Sequence, residues 1–258
     1  MYQSVSKPLA IAASAFALCG PAFAENYVAI SGGIAFQEDS ENAGVFDGDF
    51  ITGAGTTIPA GTVLPDGTAV GWNTGFDNGY LINLAFGRRY NIFRGEIEVS
   101  YQNAQVDTHT DVVAGGIALG AEDAGVLVTG ADNLGISVAD LVADGQGELE
   151  SVYGFANAYV DIPTGFILEP YVGGGVGLAF KDVNYSPSAT TIIDDSDTSF
   201  AWQVMAGVTA EITPRIEVFG GYRFRDGGSL SVAADLFDAD FDIENRASIV
   251  EAGIRANF

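Results

Sequence analysis

Glu244-Asn-Arg-Ala-Ser-Ile-Val-Glu-Ala-Gly-Ile-Arg-Ala-Asn-Phe258 closes the chain and decides how the rest is read. Counting back from the terminal aromatic, every second residue is small or apolar: Phe258, Ala256, Ile254, Ala252 and Val250. Between them stand Asn257, Arg255, Gly253 and Glu251. A period of two belongs to a β-strand with unlike faces. A soluble sandwich or barrel turns the charged face to water and packs the apolar face against a second apolar row. A barrel in a membrane reverses that order, with lipid outside and a polar, internally paired bore.

At the other end, Lys7 precedes an apolar run from Leu9 to Cys19, and Ala22-Phe23-Ala24 has the small-x-small form of a cleavage site. Eleven apolar residues are too few to span a bilayer, so residues 1–24 read as a secretory signal peptide and 25–258 as the mature barrel. Phe16-Ala17-Leu18 before Cys19 does not match a lipidation site. Loss of the leader would remove the only cysteine and with it any disulfide or thiol chemistry.

The 34 acidic residues outnumber the 10 basic ones, yet 48% of the chain is hydrophobic and its mean hydropathy is +0.23. Acidity alone would suit a disordered chain, and the apolar content excludes that. No stretch after residue 24 reaches the 18 apolar residues of a membrane helix. What remains is an all-β chain whose apolar residues are spread by alternation, with 34 glycines for turns, bulges and close strand approaches.

Eight segments read as strands, roughly 26–36, 78–90, 94–106, 147–162, 166–183, 198–212, 215–226 and 244–258. Each is long enough to cross a bilayer at a tilt, which takes about 9–11 residues. Tight turns at 91–93, 163–165 and 213–214 alternate with long connections at 37–77, 107–146, 184–197 and 227–243. That sorting predicts an eight-stranded antiparallel up-and-down transmembrane barrel with long acidic external loops. The long connections hold no Lys or Arg. Alternation sends Val28, Ile30, Ile82, Leu84, Ile97, Val99, Val204 and Val218 to lipid; in the fourth strand it turns Tyr153, Phe155 and Tyr159 inward. Tyr90, Phe93, Phe166 and Phe258 gather toward the short turns, and Phe36, Tyr80, Tyr101, Phe180, Phe200, Trp202 and Phe224 toward the long loops, as interfacial girdles require.

The signal peptide, the eight amphipathic strands, the sorted loops and the final Glu251-Ala-Gly-Ile-Arg-Ala-Asn-Phe258 resemble the small outer-membrane β-barrel proteins of Gram-negative bacteria, the OmpA membrane-domain and opacity-type group. That resemblance implies an integral outer-membrane protein with its long loops outside the cell, surrounded by lipid and lipopolysaccharide. It also implies that Phe258 is a signal for the barrel assembly machinery, although Ala256 stands where such strands often carry a second aromatic.

The expected bore constellation is an ion-paired set of Arg89, Glu96, Glu98, Glu169, Glu217, Arg223, Glu251 and Arg255. Eight strands enclose a space that side chains just fill, so these charges must pair. A plug that fixes register is the expected role, with a small-solute or ligand channel as the alternative. Carboxylates at Asp194, Asp195, Asp197, Asp235, Asp238, Asp240 and Asp242 read as a solvated face; Ile243 and Ile249 stand where a calcium loop needs glycine and glutamate. No metal, cofactor or catalytic residue is expected. A hydrolase would have to use His109, the only histidine, which reads as a solvated loop residue. The acidic surface disfavours nucleic acid and leaves the loops for an extracellular partner. The apolar runs Val112-Val113 and Val126-Leu127-Val128 within those loops are expected to extend strands above the membrane or to pack as a cap.

Overall fold

The computed structural model describes residues 25–143, 145–186, 193–233 and 239–258, so the leader lies outside the described residues. Eight antiparallel strands close a ring: β1 (Glu25–Gln37), β6 (Gly79–Tyr90), β7 (Phe93–Ala114), β9 (Gly147–Asp161), β10 (Leu168–Tyr185), β11 (Ile193–Thr213), β12 (Ile216–Ala233) and β13 (Ala239–Asn257). β13 pairs back onto β1, with Ile254 opposite Ile30 and Glu251 opposite Gly33. Phe258 locks the seam: its N–H donates to the Asn26 carbonyl at 2.9 Å, and its carbonyl accepts from the Asn26 N–H at 3.2 Å. Closure leaves no free strand edge, which hydrocarbon would not tolerate.

Along the lower part of each strand the polarity is inverted. Glu251 and Arg255 are 5% and 2% exposed, whereas their neighbours Val250 and Ile254 are 55% and 51% exposed. Val28, Ile30, Ile82, Leu84, Ile97, Val204 and Val218 belong to the same outward belt. Tyr153, Phe155 and Tyr159 point into the bore, as the alternation in that strand predicts.

Above the belt the order reverts without a change of strand phase. In β13 the inward residues change from Glu251 and Arg255 to Phe241 and Ile243, and the outward ones from Val250 to Asp242. Outward Phe36, Phe180, Phe224 and Val152 give way, two residues on, to Glu38, Asp182, Asp226 and Glu150. Water replaces lipid at that level, so apolar side chains are again more stable inside.

Within the described residues the long connections form strands and short helical turns, and this corrects their reading as loops. β2 (Ser40–Phe46) and β5 (Ala69–Phe76) pair with each other and continue β1 and β6 upward, β2 against β13 and β5 against β7. β7 itself runs eight residues beyond its expected end. The small hairpin β3 (Phe50–Ile51) and β4 (Val63–Leu64), the short strand β8 (Ile117–Ala118), a 3₁₀ turn over Ala124–Leu127 and the helix α1 (Val138–Val142) roof this collar. Their shared core includes Phe46, Val70, Trp72, Val126, Val138, Tyr185 and Phe241, all buried. Val126 and Leu127 therefore pack in the cap, while Val128 is exposed and Val112 and Val113 lie on the strand extension.

Candidate functional site

The bore is filled in layers. Near the short turns, Arg89 reaches Glu217 at 2.7 Å and Asp161 at 3.4 Å, Arg94 meets Asp161 at 2.8 Å, and Arg255 meets Glu217 at 2.5 Å. In the middle, Arg223 bridges Glu98 at 2.5 Å and Glu251 at 2.9 Å, and Arg225 lies 3.3 Å from Glu98. Much of the remaining hydrogen-bonding capacity is met locally. Glu251 accepts from Ser31 and Asn83, and Arg225 donates to Ser100, Gln102 and Gln203. Glu96 takes no guanidinium within 4 Å among the described residues; it accepts from Tyr27 and Tyr159 at 3.0 Å and from Asn157 at 3.3 Å. Pairing offsets most of the cost of burying these charges, although Arg94 Nη2, Arg255 Nε and Asn83 Oδ1 have no hydrogen-bond partner among the described residues.

Aromatic rings do the second half of this job. Arg94 lies 4.4 Å over Tyr159 and 5.1 Å over Tyr171, Arg225 lies 4.3 Å over Tyr153, and Arg255 lies 4.9 Å over Tyr27. Each ring face favours the cation and shields it from water. Gly173 and Gly175 make room for them: a Cβ there would sit 2.3 Å from the Tyr159 ring and 1.9 Å from Asn157. The residual void between these layers is about 20 Å³, the room of a single water. Higher up, Lys181 donates to three backbone carbonyls, of Gly227, Gly228 and Ser229, and so holds the bulge that shifts the β12 register there.

Seven of the eight residues expected in the bore converge there. Glu169 does not join them: it is half-buried at the short-turn end of β10 and makes no ion pair among the described residues. It lies one inward step below Tyr171, where the bore opens to water, so it needs no partner. Arg94, Asp161 and Arg225 belong to the network and were not in the expected set. Arg94 shares the phase of Glu96 and Glu98, and Asp161 that of Asn157 and Tyr159, so alternation alone carries the signal for both.

The collar encloses a second feature, an apolar cavity of about 230 Å³. Trp72, His109 and Tyr185 line it together with Phe46, Val70 and Val126. The solvated reading of His109 is corrected here. The residue is 4% exposed on β7, its Nδ1 lies 2.8 Å from the Thr74 hydroxyl, and its ring centroid lies 5.0 Å from that of Tyr185. The extension of β7 and its pairing with β5 carry it inside. Among the described residues no group of three or more metal-ligating side chains occurs; Asp194, Asp195 and Asp197 lie along β11, and Asp235 and Asp238 lie outside the described residues.

Two carboxylates fasten the roof. Glu122 accepts from the Thr57 hydroxyl and from the backbone N–H of Thr57 (2.8 Å) and Ile58. Asp123 accepts from the N–H groups of Gly125, Leu134 and Gly135 at 2.7–2.9 Å. The Thr57 hydroxyl and N–H hold Glu122 below its ordinary value of 4.5, and the Gly125 and Leu134 N–H groups hold Asp123 below 3.8. A depressed folded value means stability that is present above the ordinary value and lost as pH falls through the folded one. The roof is therefore expected to loosen progressively as pH drops below about 4 while the barrel stays folded. Faster hydrogen exchange of residues 122–135 at pH 3, with the strands still protected, is the result that checks this.

A family model described as "Surface antigen" matches residues 67–239. An uncharacterized protein of Brucella abortus is 36% identical over 79 residues, which is 27% of this chain and 28% of that protein's length. Among solved structures, Neisserial surface protein A is 17% identical with a TM-score of 0.42, covering 90% of this chain and 97% of its own. The outer membrane protein OprG from Pseudomonas aeruginosa is 12% identical with a TM-score of 0.46, covering 91% and 96%. With two thirds of its length under the family model, and with an apolar belt around a polar, ion-paired bore, the chain belongs to the surface antigen family and is an integral β-barrel of the Gram-negative outer membrane.

Proposed function

We propose that the protein is a closed, non-enzymatic barrel that anchors an acidic collar and roof at the cell surface, where they meet partners outside the cell. The observation that carries this reading is the middle layer of the bore. Glu98, Gln203, Arg223, Arg225 and Glu251 cross it with no more than 5% exposure each. Opening a path would unpair several buried charges at once, at several kcal/mol each. A small-solute channel is the alternative, and it needs that layer to part.

The surroundings of His109 also favour a non-enzymatic role. Trp72 Nε1 (3.1 Å) and Asn42 Nδ2 (2.6 Å) donate into the Thr74 oxygen, so its own proton goes to His109 Nδ1. An oxygen with both lone pairs engaged is a poor nucleophile. Outer-membrane lipid, lipopolysaccharide and the assembly machinery, through Phe258, complete the proposed set of partners. In planar bilayers the purified, folded chain is expected to leave the membrane silent. Steady unit conductance would overturn the closed reading in favour of the channel.

A further inference from the structure

The apolar cavity in the collar is larger than a packed interior leaves by default. Its floor is Trp72, His109 and Tyr185, and exposed Pro59 and Ile117 stand among its lining at the solvent side. An apolar cavity of about 150 Å³ stays dry and takes up benzene, so about 230 Å³ suits a molecule of about nine non-hydrogen atoms.

The second observation is polar. The Tyr185 hydroxyl is fully buried, and its proton finds no acceptor among the described residues. The Thr74 hydroxyl beside it cannot serve, being saturated by Asn42, Trp72 and His109. Buried donors are nearly always satisfied in native proteins, so an unsatisfied one on the wall of an apolar cavity points to an acceptor from outside the chain. Carboxylates would be poor occupants, because the lining residues contribute no Lys or Arg to pair with them.

We infer that the collar cavity binds a small, uncharged, mainly apolar molecule carrying one carbonyl or ether oxygen, which accepts a hydrogen bond from Tyr185. This goes beyond the surface role proposed above and stands whether or not the bore conducts. The test uses the full chain folded in lipid nanodiscs with Trp202→Phe, which leaves Trp72 as the only indole. The probes are acetophenone and cumene, equal in size, of which only the first has an acceptor oxygen. Trp72 emission is expected to respond saturably to both, with acetophenone about tenfold tighter. Tyr185→Phe is expected to erase that preference while leaving cumene binding unchanged. Ala114→Leu, which fills part of the cavity, is expected to weaken both probes. A linear response that Ala114→Leu does not alter would mean partition into lipid only, and equal affinity for the two probes would remove the role of Tyr185; either result overturns the inference.

Discussion

Arg223→Met is expected to lower the unfolding free energy of the barrel by about 3–5 kcal/mol, the largest single-residue loss in the bore. The guanidinium bridges Glu98 and Glu251, and all three are nearly inaccessible to water. Methionine matches the length of the arginine stem and offers no charge. Glu98 would keep one cation, Arg225 at 3.3 Å, beside the neutral donors Asn157 and Gln203, and Glu251 would keep the neutral donors Ser31 and Asn83. The cost is thus that of stranded carboxylates in a dry layer, more than that of a lost attraction. This yields a discriminating second variant. Arg223→Met with Glu98→Gln removes a charge of each sign and is expected to recover a good part of the loss. Urea midpoints of protein refolded into vesicles, scored by heat-dependent gel mobility, check both; a single-variant loss under about 1 kcal/mol would mean that water reaches the layer.

Ile254→Arg is the counterpart on the other face, with an expected cost of about 2–4 kcal/mol and reduced insertion into vesicles. Ile254 is half-exposed in the middle of the outward belt, so a guanidinium there would stand in hydrocarbon, one residue from an arginine that is stable because it points inward. Thr198→Arg supplies the control. Thr198 faces outward on β11 two residues above Phe200, beyond the level at which polarity switches. Arginine at that site meets water and is expected to change stability by no more than about 0.5 kcal/mol. A barrel with an apolar centre would give the reverse order.

The two faces of the lower strands were legible because one rule, period-two alternation, governs every residue from the short turns to the aromatic girdle. It named Glu98, Arg223, Glu251 and Arg255 as bore residues, and it turned Tyr159 inward before any stacking partner was visible. It was insufficient for the collar for two physical reasons. The sense of the alternation flips where lipid gives way to water, so Phe241 and Ile243 beside Asp242 look like a different kind of strand. The pairing of β5 with β7 also shifts register twice, between Gly71 and Asn73 and between Gly75 and Phe76, which breaks the period around His109. A search for alternation of either sense would have found β2, β5 and the end of β7. Which carboxylate meets which arginine depends on the register of strands whose partners lie 28 residues apart, as for Arg223 with Glu251, or 125, as for Arg223 with Glu98, and no local pattern encodes that.

The abrupt change of outward residues between Phe36 and Glu38, repeated on the other strands, gives the barrel a fixed waterline. Sinking deeper would drag Glu150, Asp182 and Asp226 into oil, and riding higher would strip lipid from Phe180 and Phe224. Each ångström of vertical drift costs a fraction of a kcal/mol, multiplied around the circumference. The hull therefore floats at one draught, and the collar keeps a constant freeboard: from Ser248 to Ala239, β13 climbs about 30 Å of strand. Anything approaching from outside meets the roof at a set height, whatever the lipids below are doing.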